Sequence, residues 1–295
     1  MPANHPKSMS RFDVSIQGLR GSVPTGRAEF LRYGGNTACL DIMVGNRRLI
    51  FDAGSGIVPL GKELVEQGVT SMDVFLSHAH YDHVIGLPFF APLMTSGADL
   101  TLWYAGCDGA HDGPTLLDEL LRRPFLPFSA SDIRCTLHHE ALAHQGQFFL
   151  DREIAISTLP LNHPGGCTAL RIDAFGCSMV YAPDFEHDDG PHDAALVTFM
   201  QGATLAFLDA TYLPEIYPAQ RGFGHSHWQR ADALARQAGV TRWVPFHHSF
   251  TRTDTEMEVL AHELRDAAPA ADLLREGDAL DLLLLERSKG HRLAH

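Results

Sequence analysis

Short apolar runs alternate with amphipathic stretches along the whole chain. Runs of strand character lie at 13–17, 39–44, 48–51, 74–76, 100–104, 154–161, 177–181, 204–208, 243–246 and 280–285. Stretches of helical period lie at 58–67, 114–123, 193–200, 226–237 and 255–266. The fourth carries a start signal: Ser226 is followed three residues later by Gln229, and Ala231, Leu234 and Ala238 share one face. No linker, low-complexity tract or repeat breaks the alternation. The pattern predicts one α/β domain of about ten strands over 11–295, behind a disordered tail at 1–10. Gly34-Gly35-Asn36-Thr37 precedes a strand-like run rather than a helix, so it reads as a turn and not as a phosphate cradle. Asp52-Ala53-Gly54-Ser55-Gly56 closes another strand and also reads as a turn.

The residues just past the strands are more informative than the strands themselves. The run 74–76 leads into His78, His80, Asp82 and His83, and 154–161 into Asn162-His163. The run 177–181 leads into Ala182-Pro183-Asp184, 204–208 into Asp209, and 243–246 into His247-His248. Five strands thus present imidazole or carboxylate at their C-terminal ends, the edge where open α/β sheets bind ligands. Imidazole nitrogen and carboxylate oxygen are the donors of zinc and related divalent ions. His78 and His80, two apart on an extended segment, can aim at one ion, and Asp82 and His83, past a bend, at a second. A carboxylate has two oxygens and can bridge two ions, so an isolated Asp184 among distant histidines suits that place.

Composition narrows the partners. With 45% hydrophobic and 20% charged residues the chain is globular, and a balance of −13 advertises no general affinity for nucleic acid. No apolar run approaches the ~20 residues needed to span a bilayer, and the N-terminal stretch has no apolar signal core. The five cysteines, Cys39, Cys107, Cys135, Cys167 and Cys177, are odd in number and form no CxxC pair, which suits reduced thiols in a cytoplasm. Histidine is abundant, at 18 residues.

His78-Ala79-His80-Tyr81-Asp82-His83 resembles the HxHxDH signature of the metallo-β-lactamase superfamily. GLRGSVP (18–24), RYGGNTACLDI (32–42), IFDAGSGI (50–57), LNHPGG (161–166), YAPDFEH (181–187) and GHSHWQRADALARQAGV (224–240) look like its phosphodiesterase branch, which includes ribonuclease Z and small cyclic-nucleotide phosphodiesterases. The resemblance implies a four-layer αββα sandwich holding two divalent ions, zinc first and manganese or iron as alternatives. One ion would be held by His78, His80 and His163, the other by Asp82, His83 and His247, with Asp184 bridging. Of the neighbouring pair, His247 matches the family ligand and His248 is the alternative. His80 departs from the Glu of flavodiiron relatives, and Asp184 from the Cys of antibiotic-hydrolysing ones.

GHSH at 224–227 is similar to the GHST motif of ribonuclease Z, whose His is assigned to protonating the leaving oxygen; here that is His225. Asp209 stands where the Glu of its HEAT motif orients that His. A helix N-terminus disfavours imidazolium, so His225 needs Asp209 close by to act as an acid. The expected catalytic residues are therefore Asp82, His225 and Asp209. The implied chemistry is attack by metal-activated hydroxide on a small phosphodiester such as a cyclic nucleotide. Structured RNA is the weaker substrate, because the middle segment 107–146 offers only Arg122, Arg123 and Arg134 to a polyanion. The alternatives are a lactone, thioester or other ester on the same centre, ribonuclease Z-type processing, or a non-catalytic nucleotide sensor. Relatives of this branch imply a homodimer.

Overall fold

The computed structural model describes residues 10–106 and 112–292. Two sheets face each other. The first has seven strands: β1 (Phe12–Gly18), β2 (Cys39–Val44), β3 (Arg47–Phe51), β4 (Ser71–Leu76), β5 (Asp99–Tyr104), β6 (Thr136–Ala141) and β13 (Ala279–Asp281), in the order β13-β1-β2-β3-β4-β5-β6. The second holds β7 (Gly146–Phe149), β8 (Ile154–Leu161), β9 (Cys167–Ala174), β10 (Cys177–Ala182), β11 (Leu205–Asp209) and β12 (Arg242–Phe246), in the order β12-β11-β10-β9-β8-β7.

Strand periodicity builds the layers. Phe12, Val14 and Ile16 of β1 point inward and meet Ile156, Ile172, Met179 and Phe207 from the second sheet. Their neighbours on other strands turn outward: Val74 and Leu76 pack under α1 (Ile57–Glu66) and α3 (Gly113–Leu120), while Phe75 between them joins the central core. Likewise Ala206 and Leu208 of β11 face α4 (Pro191–Met200), α5 (Trp228–Gln237) and α6 (Asp254–Ala267), while Leu205 and Phe207 face inward. This is the expected αββα sandwich.

Strands β3 to β6 run parallel, as do β10, β11 and β12. Since β8 and β10 are both antiparallel to β9, they share one direction. The C-terminal ends of β8, β10, β11 and β12 therefore lie along one edge of the second sheet, and those of β3 and β4 along one edge of the first.

Three expectations are corrected. The strand foreseen at 280–285 ends at Asp281, whose Oδ1 accepts the N–H groups of Leu283 (2.8 Å) and Leu284 (3.2 Å) and so starts α7 (Leu282–Arg292). The capping box at Ser226 does not form: α5 begins at Trp228 with His227 at its N-cap, and the Ser226 hydroxyl is taken by His187, at 3.2 Å from its N–H and 3.0 Å from Nδ1. Strands β6, β7 and β9 were not foreseen. The tail expected at 1–10 lies outside the described residues except for Ser10, as does Cys107; the four described cysteines are free thiols.

Candidate metal centre

The sandwich brings the seven foreseen donors to one place between the two strand edges. His78 and His80 follow β4, and Asp82 and His83 sit on the one-turn helix α2 (Tyr81–Val84). His163 follows β8, Asp184 follows β10 and His247 follows β12. Two groupings drawn wholly from the seven emerge, with one ligand atom per residue and all atoms of a group within 4.8 Å of one another: His78, His80, His163 and Asp184, then Asp82, His83 and His247; a third joins Asp184 and His247 to Asp209 and His225.

Asp184 faces both groups. Its Oδ2 lies 3.4 Å from His78 Nε2 and 3.6 Å from His163 Nε2, while Oδ1 lies 3.2 Å from His83 Nε2 and 3.4 Å from His247 Nε2. Asp82 Oδ2 stands 2.9 Å from His247 Nε2 and 3.5 Å from His83 Nε2, and accepts the Ser22 N–H at 2.6 Å. His80 turns Nδ1 to within 3.1 Å of His163 Nε2 and is the one donor of the set exposed to solvent.

Each buried imidazole is fixed by a partner on its other nitrogen. His83 Nδ1 donates to Asp52 Oδ2 at 2.7 Å, and His163 Nδ1 to the Gly224 carbonyl at 2.8 Å. The Thr211 hydroxyl donates to the His247 carbonyl (2.8 Å), so it accepts from His247 Nδ1 at 2.9 Å. The Ser77 hydroxyl donates to Asp52 Oδ2 (2.8 Å), so it accepts from His78 Nδ1 at 3.0 Å. All four rings are thereby held by Nδ1 with Nε2 aimed inward, the arrangement metal-binding histidines require. Close packing sets two of these rings. A Cβ on Gly21 would come within 2.1 Å of His247 Cε1, and one on Gly224 (φ +86°) within 2.2 Å of His163 Nδ1.

The electrostatics fit a cation. Burial, and then the charge on His83, push His78 down to about 4, so its lone pair is free at neutral pH. Burial alone would also lower His83, but Asp184, Asp82 and Asp52 outweigh it and raise it well above the usual histidine range, a positive charge whose place a bound cation would take. Burial alone would raise Asp184, yet His247, His83 and His78 hold its carboxyl well below the usual range. The buried His78 Nε2, His83 Nε2 and Asp184 Oδ1 have no hydrogen-bond partner. Buried charges and orphaned lone pairs are costly. Divalent ions would satisfy the lone pairs and neutralise the acids together.

Beside the second group stand Asp209 and His225. Asp209 Oδ2 is 2.7 Å from His225 Nδ1, and the His225 ring stacks on His247 with centroids 4.6 Å apart. Burial opposes a charge on His225, but the Asp209 charge and hydrogen bond raise it to about 9. His248 turns away from the cluster: it is buried, with Nδ1 3.3 Å from Arg252 Nη1, and burial and the charges of Arg252 and Arg20 hold it neutral.

Two supporting residues escape sequence reading. Asp52, placed in a turn by its glycine-rich context, is fully buried and also accepts from Ser77 N (2.7 Å) and Tyr181 Oη (2.7 Å). Its position just past β3, matching the other donors past their strands, is the signal that could have found it. Thr211 carries no such signal.

Two facing sheets with an acid–imidazole cluster at their common edge define a metal-dependent hydrolase. The model of the beta-lactamase superfamily domain matches residues 47–248, and the chain belongs to that superfamily. It is 22% identical to ribonuclease Z of Porphyromonas gingivalis over an alignment covering 84% of this chain and 92% of that one. Its structure is similar to the metallo-beta-lactamase fold protein YhfI from Bacillus subtilis (TM-score 0.69, 18% identity, 92% and 99% of the two chains covered). It is also similar to a diphosphatase from the PhnP family (TM-score 0.64, 17% identity, 92% and 97% covered). Among the described residues no helix is long and apolar enough to cross a membrane.

Proposed function

We propose that this chain is a phosphodiesterase acting on small phosphodiesters, cyclic nucleotides among them, with two divalent cations for which zinc suits the donor set. The observation that carries the reading is the split of Asp184, whose two oxygens each face a different pair of imidazole nitrogens at 3.2–3.6 Å. His78, His80 and His163 would hold one ion, Asp82, His83 and His247 the other. Such ions, when bound, would lower the pKa of a bound water toward 7 and stabilise negative charge developing on phosphorus.

The chain's own groups complete the chemistry. Asp82 or Asp184 would orient the nucleophile. Asp209 holds His225 by Nδ1, leaving Nε2–H to be donated to the departing oxygen. Removing that proton donor by His225→Ala is expected to lower kcat ~10²-fold with metal content unchanged. A kcat near wild type would remove His225 from the mechanism.

The deciding experiment is a metal count on protein purified without added metal, coupled to a panel of bis(p-nitrophenyl) phosphate, cyclic nucleotides, lactones, thioesters and a precursor tRNA. Two ions per chain and turnover confined to the small phosphodiesters are expected. Turnover of lactones or thioesters alone would sink the proposal. A second reading, RNA processing, is favoured by the ribonuclease Z relatives, and cleavage of the precursor tRNA in preference to small esters would establish it. Against it stand the net charge of −13 and a 112–146 segment whose basic residues beyond histidine are Arg122, Arg123 and Arg134.

A further inference from the structure

We infer that Glu186 is a positioning residue that locks the loop carrying His225 onto the metal cluster, a role that rests on the phosphodiesterase reading above. Glu186 lies two residues past Asp184, and its carboxylate reaches across to the 217–224 segment. Oε1 accepts from Gly222 N at 2.8 Å and from Tyr217 Oη at 3.3 Å, and Oε2 accepts from Gly224 N at 2.8 Å and from the same Gly222 N at 3.0 Å. Its main chain is tied to a third segment: Glu186 N–H donates to the Asn162 carbonyl (2.9 Å), and Asn162 Nδ2 donates to the Glu186 carbonyl (2.7 Å).

The bonds close into a ring. Gly224, gripped by Glu186 at its N–H, accepts His163 Nδ1–H at its carbonyl. His163 follows Asn162, which returns to Glu186. The segments that follow β8, β10 and β11 are thus joined through one residue, Glu186, by its main chain to the first and its carboxylate to the third, and the next residue along the loop is His225.

Between the buried Tyr217 and the Asp209-bound His225, the stretch 222–224 has little else to hold it. Gly222 and Gly224 carry no side chains and both adopt positive φ (+90° and +86°), while Phe223 between them is 63% exposed. With no side chain of 222–224 anchored in the interior, the hydrogen bonds from the Gly222 and Gly224 amides to Glu186 set where the Gly224 carbonyl lies, while Asp209 holds the far side of His225 through its Nδ1 and the Ser226 N–H. A glutamine at 186 keeps one acceptor oxygen, but whichever way its amide turns, the NH₂ faces the Gly222 N–H, which lies 2.8 Å from one carboxylate oxygen and 3.0 Å from the other, so donor meets donor at unchanged volume. Errors of this kind at groups supporting a metal ligand cost 10–100-fold in metal affinity or activity.

Two readouts separate positioning from mere structural support. The first is zinc affinity, by competition with a chromophoric chelator, in the full chain carrying Glu186→Gln. One of the two ions is expected to bind about 10–100-fold more weakly, because His163 loses its aim. The second is the ratio of kcat for an alkyl phosphodiester, whose leaving alkoxide needs a proton, to kcat for bis(p-nitrophenyl) phosphate, whose leaving group does not. That ratio is expected to fall about tenfold, because His225 is displaced. Unchanged zinc affinity together with an unchanged ratio in Glu186→Gln would overturn the inference, whatever the overall loss of rate. Should wild type turn over neither ester, the phosphodiesterase reading fails while the zinc competition still decides the role of Glu186. Glu186→Ala serves as the stronger variant if it folds, and the glutamine variant carries the test alone if it does not.

Discussion

The two halves of the candidate centre, one with an aspartate and two histidines and the other with three histidines, are braced differently. In the half formed by Asp82, His83 and His247, all three donors are buried, and the imidazoles lean on a buried carboxylate, Asp52, and a buried hydroxyl, Thr211. In the half formed by His78, His80 and His163, His80 is exposed, His163 leans on a main-chain carbonyl, and His78 reaches Asp52 only through Ser77. A carboxylate behind an imidazole raises its basicity more than a neutral acceptor does. The comparison teaches that the Asp82 half should hold its ion more firmly and that the His80 half should exchange with solvent first.

Substitutions test that asymmetry, beginning with the residue both halves share. Asp184→Asn is expected to strip metal from both halves and lower kcat ~10³-fold, corresponding to several kcal/mol of lost charge stabilisation. Retention of two ions by elemental analysis would refute the shared role. Asp52→Asn should weaken the Asp82 half by about 10–100-fold in chelator competition, with a smaller effect on the other half, since His83 bonds Asp52 directly and His78 reaches it only through Ser77. Equal losses at both sites would erase the distinction. The smallest effect is spectroscopic. In metal-free protein His225 should titrate near 9, and Asp209→Asn should bring it down toward or below the ordinary histidine value, followed by NMR of the ring protons. Because its folded-state value is raised, its contribution to stability is complete below about 6.5 and is lost as pH rises through about 9. A His225 that titrates unchanged in the Asp209→Asn variant would detach the two residues.

Much of this arrangement could be read before any coordinates, and the misses share a cause. Donors announced themselves because each stands just past an apolar run, so strand period and metal chemistry agreed at His163, Asp184, Asp209 and His247. The supports did not, since Asp52 lies 31 residues from His83 and Thr211 lies 36 from His247, distances over which local pattern carries no information. Strand β9 was missed because its hairpin to β10 turns through Phe175-Gly176 (φ +53° and +80°) in place of the usual Asn-Gly or Asp-Gly. At Ser226 the local capping signal was genuine, but a tertiary partner, His187, took the hydroxyl. The run at 282–285 misled for the opposite reason: four leucines look like a buried strand, yet Leu284 is 60% exposed and Asp281 starts a helix there.

His78 and His247 sit at the ends of strands in opposite layers, and Asp184 reaches toward both. Any ion gripped on each side rivets one half of the polypeptide to the other. Occupancy then becomes a gauge of whether the chain has finished folding, because an unfolded chain keeps only the 78–83 donors close together and loses the rest. Depleting the ions should therefore loosen the joint between the layers as a whole, lowering the melting temperature in step with free metal rather than merely silencing a pocket.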